Sequence, residues 1–567
     1  MNKKIIIYQT FPRIATNRTQ QLTYNGTRAQ NGCGKMNQYT SEALEAVCRL
    51  GCNYIWYTGL IQHATCSNYS DKGIPVGNRY VIKGNAGSPY AITDYYSVDP
   101  DLAENVDRRM EEFAALVERT HIHQLKMIID FVPNHVARQY HSVLKPKGAS
   151  DFGEHDQKQR AFDPQNNFYY IPEQEFAPHI DLGSGAEQYH EYPAKATGND
   201  CFHAFPGKDD WYETVKLNYG VDYATGKKYF SPIPDTWEKM LHILLYWAEK
   251  GIDGFRCDMA HMVPIEFWNW VIPRVKARFP DIIFIAEIYT PSLYRCFLQE
   301  GHFDYLYDKV GLYDTLRAVV EGKESAAGIT AQWQALEGIQ KRMVNFLENH
   351  DEQRLASDFF AGSAKKGIPA LMVSAWMNTN PFMLYFGQEL GERGMGNEGF
   401  SGCDGRTSIF DYTSLDSYRR YNNNGQWNTN LLTERERDLL HLYQQVLSLC
   451  NKEKALCEGC FYDLMYVNYQ NSHFDPTRQY AFLRHYQNEL LLICVNFSDQ
   501  VKPTAINIPE HAFRFLGIEE GDYQMKELLT QQGTTRQHLS YQKPFKAVIA
   551  PYSGVIYKFV ITVHQDE

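Results

Sequence analysis

The chain has 567 residues, more than one hydrophobic core usually organises, so two or three domains are expected, one of them large enough for a full enzyme barrel. Apolar residues at 44% and charged residues at 22% exclude a disordered or coiled-coil chain. The net charge of -11 is spread without long acidic or basic runs, which argues against a nucleic-acid or anionic-membrane partner and leaves a neutral polymer substrate compatible.

The aromatic share of 14%, with 39 Tyr and 31 Phe, supplies flat faces that can stack on sugar rings as well as fill cores. The start, Met1-Asn2-Lys3-Lys4 followed by Ile5-Ile6-Ile7-Tyr8-Gln9, has too short an apolar run for a signal peptide and reads as a first strand. No span of about 20 apolar residues occurs, so no membrane helix is expected. The twelve cysteines are irregularly spaced. Without an export signal they read as reduced thiols of a cytoplasmic protein. Cys457 and Cys460 form a lone CxxC with no second pair at zinc spacing, and no metal is assigned to them.

Short β-rich apolar runs ending in polar or acidic residues alternate with amphipathic stretches, the pattern of a parallel sheet with helices outside. The runs are Ile5 to Phe11, Tyr54 to Leu60, Met127 to Val132, Gly254 to Met259, Ile282 to Ile288, Phe303 to Tyr307, Met343 to Leu347 and Met383 to Gly387. Helices are predicted over Ser41 to Leu50, Val106 to Thr120, Trp237 to Lys250 and Ile265 to Phe279. Eight strands interleaved with helices match a closed (β/α)8 barrel. A Gly-, Pro-, His- and Tyr-rich stretch from Ala137 to Pro234 lacks any long period and reads as an insertion on the barrel rim. After a helix around Glu434 to Leu449 come strand-like pieces, Gln479 to His485, Leu490 to Phe497 and Gly554 to Val563, with no convincing helices; these predict a C-terminal antiparallel β domain. The expected division is a catalytic barrel over 1–136 and 235–451, an inserted segment over 137–234 and a β domain over 452–567.

Four of the runs end in carboxylates, at Asp130, Asp258, Glu287 and Asp351. Setting a carboxylate beside an apolar strand is costly, so four in one register need a joint explanation. The C-terminal ends of barrel strands converge on one mouth, where barrel enzymes keep their chemistry. Spacing agrees: with about 31 residues per strand-helix unit, the 29 positions from Asp258 to Glu287 are one unit and the 64 from Glu287 to Asp351 are two. The carboxylates therefore belong to strands 3, 4, 5 and 7.

Retaining glycoside hydrolysis needs an ionised carboxylate to attack the anomeric carbon and a protonated one to protonate the leaving oxygen, roughly 5 to 5.5 Å apart. Adjacent strands 4 and 5 can provide that pair. Arg256 lies two residues before Asp258, on the same strand face, where its charge is expected to hold Asp258 ionised as nucleophile. Glu287 follows an apolar run and is expected to stay protonated as the acid/base, with Asp351 stabilising the oxocarbenium-like transition state. His135 and His350 are placed to donate to sugar hydroxyls.

Asp130-Phe131-Val132-Pro133-Asn134-His135, Gly254-Phe255-Arg256-Cys257-Asp258, Ala286-Glu287 and Glu348-Asn349-His350-Asp351 resemble the four short sequence regions of the α-amylase family of glycoside hydrolases, in the same order. The stretch from Tyr8 to Arg13, Leu50 to Trp56, Tyr90 to Pro100 and Gly387-Gln388-Glu389 are similar to its supporting motifs. The resemblance implies a (β/α)8 barrel with Asp258 as nucleophile, Glu287 as acid/base and Asp351 as transition-state stabiliser. It further implies that Arg256, His135 and His350 contact the sugar, that Tyr90 stacks on it, and that Asp130 is structural. Substrates would be α-1,4-linked glucans such as starch, glycogen or maltooligosaccharides.

The chain departs from the pattern after the nucleophile, where Met259-Ala260-His261-Met262 replaces the Lys-His pair of many α-amylases. That pair helps hold a structural calcium. Asn134 resembles a calcium ligand, but the insertion offers no convincing acidic set, and Lys216-Leu217-Asn218 stands near the expected place. The expectation is an enzyme that requires no cofactor and has no metal in its catalytic site, with a structural calcium left open. Three other readings are weighed: a 4-α-glucanotransferase of the same family, a metal-dependent lyase or isomerase barrel, and a non-catalytic carbohydrate-binding relative. Arg256 beside Asp258 argues against a catalytic metal, and the intact carboxylates argue against a mere binding protein. Sequence does not settle endo or exo action, chain-length preference or oligomeric state.

Overall fold

The computed structural model describes residues 3–396, 402–530 and 533–561. Eight parallel strands close into a barrel: β1 (Ile6–Thr10), β2 (Tyr54–Tyr57), β3 (Lys126–Phe131), β4 (Gly254–Cys257), β5 (Ile283–Ala286), β6 (Tyr305–Tyr307), β7 (Met343–Phe346) and β8 (Phe382–Tyr385). Each lies within one of the eight predicted apolar runs, apart from a one-residue extension at an end of β3 and of β8.

The two-residue period of a strand divides their side chains. Ile128, Ile285, Tyr307, Val344, Phe346, Ile7, Trp56 and Met383 point into the barrel and form a cluster of their own. Ile129, Phe255, Cys257, Phe284 and Ala286, one position along, pack outward beneath the helices. The helix Asp235–Glu249 covers this outer face with buried Trp237, Ile243, Leu244 and Trp247. Each such burial contributes roughly 1.5–3 kcal/mol. Helices Ser41–Arg49, Arg109–Ile122 and Ile265–Arg278 take the other predicted positions. The helix Glu434–Lys452 starts on a capping box, in which Thr433 Oγ1 accepts from the Glu436 amide and Glu436 Oε2 accepts from the Thr433 amide at 2.8 Å.

Register fixes where the carboxylates meet. Arg256 on β4 pairs with Asp130 on β3, and Cys257 pairs with Ala286 on β5. Asp258 and Glu287 are therefore neighbours on the next rung, facing inward.

The rim insertion after β3 is built from two-stranded pieces: His135–Ala137 with Thr214–Lys216, Tyr170–Ile171 with Ala194–Lys195, and Val221–Asp222 with Lys227–Lys228. Ile171, Phe176, Tyr189, Ala194, Ala204 and Tyr212 give it a small core, which Val81 of the loop after β2 joins. The C-terminal antiparallel sheet has the order β9 (Cys460–Asp463), β10 (Gln479–Tyr486), β11 (Glu489–Asn496), β14 (Ser553–Val560), β12 (Gly521–Glu527) and β13 (Thr535–Leu539). Residues 562 and 563 of the predicted run Gly554 to Val563 lie outside the described residues. The expectation of no helix in this region is corrected by Glu510–Leu516, which starts after Pro509, ends on left-handed Gly517 and buries Ala512, Phe513 and Leu516. At seven residues it is too short to show a periodic signal. All twelve cysteines are free thiols. Among the described residues no helix is long and apolar enough to cross a membrane.

Candidate active site

Arg256 organises the barrel mouth. It is buried on β4, with Nη1 2.8 Å from Asp258 Oδ1 and 3.5 Å from Asp130 Oδ1, and Nη2 2.8 Å from Glu287 Oε2. Its Nε donates to the Tyr307 hydroxyl at 3.2 Å, and Trp56 and Tyr90 each place a ring centroid 5.3 Å from the guanidinium carbon. The Glu287 contact is off the axis of an N–H bond and acts as a charge contact.

The backbone locks the two strand ends together. The Asp258 amide donates to Phe131 O at 2.9 Å, the Glu287 amide to Cys257 O at 3.1 Å, and the Met259 amide to Glu287 Oε2 at 2.9 Å. Met259 holds this position in the left-handed region, with φ +43°, which a side-chain-bearing residue adopts only when its surroundings impose it. The Tyr289 hydroxyl donates to Glu287 Oε1 in a short hydrogen bond.

This arrangement corrects the expectation that Arg256 simply keeps Asp258 ionised. Burial, and next the neighbouring Glu287 carboxylate, push the Asp258 carboxyl well above its ordinary range, and Arg256 only partly opposes them. One guanidinium is divided between two carboxyls, so Asp258 does not receive its full charge. Asp351 goes the other way: burial raises it, but His350, followed by Arg256 and Arg406, outweighs burial and holds it at about 2. Its side chain is 42% exposed to the cavity, with Oδ2 3.0 Å from His350 Nε2.

The remaining sequence-predicted residues gather around these groups. Tyr90 sets its hydroxyl 2.6 Å from His350 Nε2, and the two rings stack at 5.1 Å. Gln9 holds the other ring nitrogen of the imidazole, Nε2 to Nδ1, at 2.9 Å. His135 lies edge-on to Trp211 at 5.2 Å; burial first, and then the charges of Lys216 and Lys83, push it down to about 3, so it is neutral. Asp130 accepts from Trp56 Nε1 at 3.1 Å and from the Gly59 amide at 3.3 Å, and burial raises it against the pull of Arg256. It is buried under the site.

Asp258, Glu287, Asp351, Tyr90 and His135 line one cavity of about 480 Å³. Arg256 and His350 sit behind that lining, their side chains 1% exposed, and reach the cavity through the groups they hold. Sequence reasoning missed Trp211, Tyr289, Lys83, Glu213 and Lys309 on the cavity wall. Only Tyr289, two residues beyond Glu287 in the loop that follows β5, carried a local signal. Lys83 and Glu213 pair at 3.0 Å across the loop after β2 and the insertion, a contact with no trace in local sequence.

The sequence model of the alpha-amylase catalytic domain matches residues 25–459. Neopullulanase 2 of Thermoactinomyces vulgaris is 21% identical over 478 residues, covering 82% of this chain and 64% of that protein, just under two thirds of its length. A Bacillus cyclomaltodextrinase is 22% identical over 522 residues, covering 87% of this chain and 73% of the other. Among solved structures, a maltogenic alpha-amylase, AmyB from Thermotoga neapolitana, superposes with a TM-score of 0.62 at 19% identity over 99% of both chains, a likeness of fold. With the domain match running across all eight barrel strands but the first, the chain belongs to the alpha-amylase family.

Proposed function

We propose that this chain hydrolyses α-1,4-glucosidic bonds in starch- or glycogen-type glucans or maltooligosaccharides with retention of anomeric configuration. The observation that carries the reading is the contact of one buried guanidinium with both Asp258 and Glu287, side by side at the mouth of a family barrel. Relatives named for pullulan and cyclomaltodextrin support the same substrate class.

In the first step an Asp258 carboxylate oxygen bonds to the anomeric carbon as the glycosidic C–O bond breaks, and Glu287 gives its proton to the leaving oxygen. In the second step Glu287, now ionised, takes a proton from water. The water oxygen attacks the anomeric carbon and releases Asp258. Asp351, held anionic near pH 7, stabilises the positive charge that builds on the ring in both steps. Neutral His135 exchanges hydrogen bonds with sugar hydroxyls, and Tyr90 stacks on the ring. The barrel (1–136 and 235–451) supplies the carboxylates, and the insertion (137–234) supplies part of the wall through Trp211 and Glu213. Processing of imported or stored glucans in the cytoplasm is the setting in which we place this activity.

The test is a time course of products from maltoheptaose, separated by size, with Asp258→Asn as control. Shorter sugars alone, absent in the control, are the expected result. Products longer than seven glucoses would replace hydrolysis with glycosyl transfer.

A further inference from the structure

Lys216 ends the insertion strand that pairs with His135, and its side chain is 2% exposed. Its Nζ lies 2.5 Å from Asn134 Oδ1, 2.6 Å from Asp200 Oδ1 and 3.3 Å from the Met262 carbonyl, with the Tyr223 ring centroid at 5.5 Å. The three oxygens belong to three segments far apart in the chain: the loop after β3, a turn of the insertion, and the loop after β4 that begins with Asp258. An ammonium has three N–H donors, and here it meets three acceptors.

The same oxygens fail as a calcium site. Calcium takes about six to eight oxygens at roughly 2.3–2.6 Å, and this cluster offers one carboxylate, one amide and one carbonyl. Asn134 Nδ2 donates to Gly198 O at 2.7 Å, which leaves Oδ1, already counted as the one amide oxygen, as all that this residue can offer. Asn218, the neighbouring amide, accepts from the Gly220 amide and donates to Asp163 O. Among the described residues no group of three or more His, Cys, Asp or Glu side chains could hold a metal ion. A fixed positive charge already stands where the oxygens converge, and a second cation there would be repelled.

We infer that the Lys216 ammonium is a tethered cation that takes the place of a structural metal ion, pinning the insertion to the loops after β3 and β4 and making the folded chain independent of divalent cations. Asn134 adjoins His135, and Met262 lies four residues after Asp258, so this cross-link positions two walls of the cavity. Lys216 touches no substrate-facing group directly and is a positioning residue. Its charge is covered by Asp200, which opposes the downward push of burial on the ammonium.

The experiment reads unfolding and needs no turnover. The native chain is stripped with EDTA and dialysed, its thermal midpoint is measured with and without millimolar calcium, and bound calcium is counted by equilibrium dialysis. The expected result is one midpoint throughout and no stoichiometric calcium, because a ligand held by the folded state alone would raise it. Lys216→Met, which keeps the length of the chain and removes the charge, lowers the midpoint by several degrees, and calcium does not restore it. A native midpoint that falls on chelation and recovers with calcium overturns the inference. So does a Lys216→Met midpoint equal to the native one. If that variant does not fold, the chelation measurement on the native chain still decides, and Asp200→Asn weakens the same pair more mildly.

Discussion

Arg256 places Nη2 2.8 Å from Glu287 Oε2. Since Nη1 is equally close to Asp258, the guanidinium is a bridge between two carboxyls, and neither receives its full charge. Burial, and next the neighbouring Glu287, therefore leave the proposed nucleophile above the ordinary carboxylate range, with Arg256 only partly opposing them.

That position sets the acid limb of catalysis. Activity requires ionised Asp258, so kcat/KM falls as pH drops through its raised value, above the reference Asp value of about 3.9. A profile of kcat/KM against pH that stays flat down to that value contradicts the assignment. Stability follows with its own sign. A carboxyl whose folded value is raised favours the fold most below its unfolded value, and this contribution is lost as pH rises through the folded value. Asp258→Asn is therefore expected to melt above the native chain on the alkaline side of that raised value, with the gap closing as pH falls toward the reference value of about 3.9.

Turnover depends on both partners. Asp258→Asn and Glu287→Gln should each lower kcat on the order of 10³-fold or more while the circular dichroism spectrum stays native. Near-normal activity in either variant removes that residue from its proposed role.

Below the loop that carries His350 and Asp351, Arg354 and Glu348 form an ion pair at 2.9 Å with both side chains fully buried. Burial pushes Glu348 up to about 7 against the pull of Arg354. Arg354→Met leaves this carboxyl with the Leu355 amide as its remaining donor and should cost about 3–5 kcal/mol in denaturant unfolding. Replacing Glu348 by Leu as well should recover part of the loss, and a double variant no better than the single one contradicts this account.

Gly87 controls the approach of Tyr90. It has φ +67°, and an added Cβ would lie 1.7 Å from the Ala64 carbonyl oxygen, so backbone must move to admit one. Gly87→Ala is expected to lower the thermal midpoint and raise KM, because Ser88 and Tyr90 shift with the loop. Unchanged KM would place Tyr90 outside the substrate contacts.

The barrel was legible because each strand is an apolar run with period two, bounded by polar ends, and because the carboxylates recur at multiples of the strand-helix unit. Asp258, Glu287 and Asp351 could be placed on one rim from that spacing alone. The bridging geometry of Arg256 could not, since it depends on the register of β4 against β5. Trp211, Lys83 and Glu213 reach the cavity through insertion loops with no period, where position is set by pairings such as His135 with Lys216. The helix Glu510–Leu516 was hidden by its length.

The central claim is a covalent glycosyl bond to Asp258, and trapping tests it most directly. The enzyme is incubated with a 5-fluoro-α-glucosyl fluoride, its intact mass is recorded, and the labelled peptide is mapped. One fluoroglucosyl group on the peptide carrying Asp258, absent in Asp258→Asn, is the predicted result. No adduct, together with a first-formed product of inverted anomeric configuration by NMR, would contradict it.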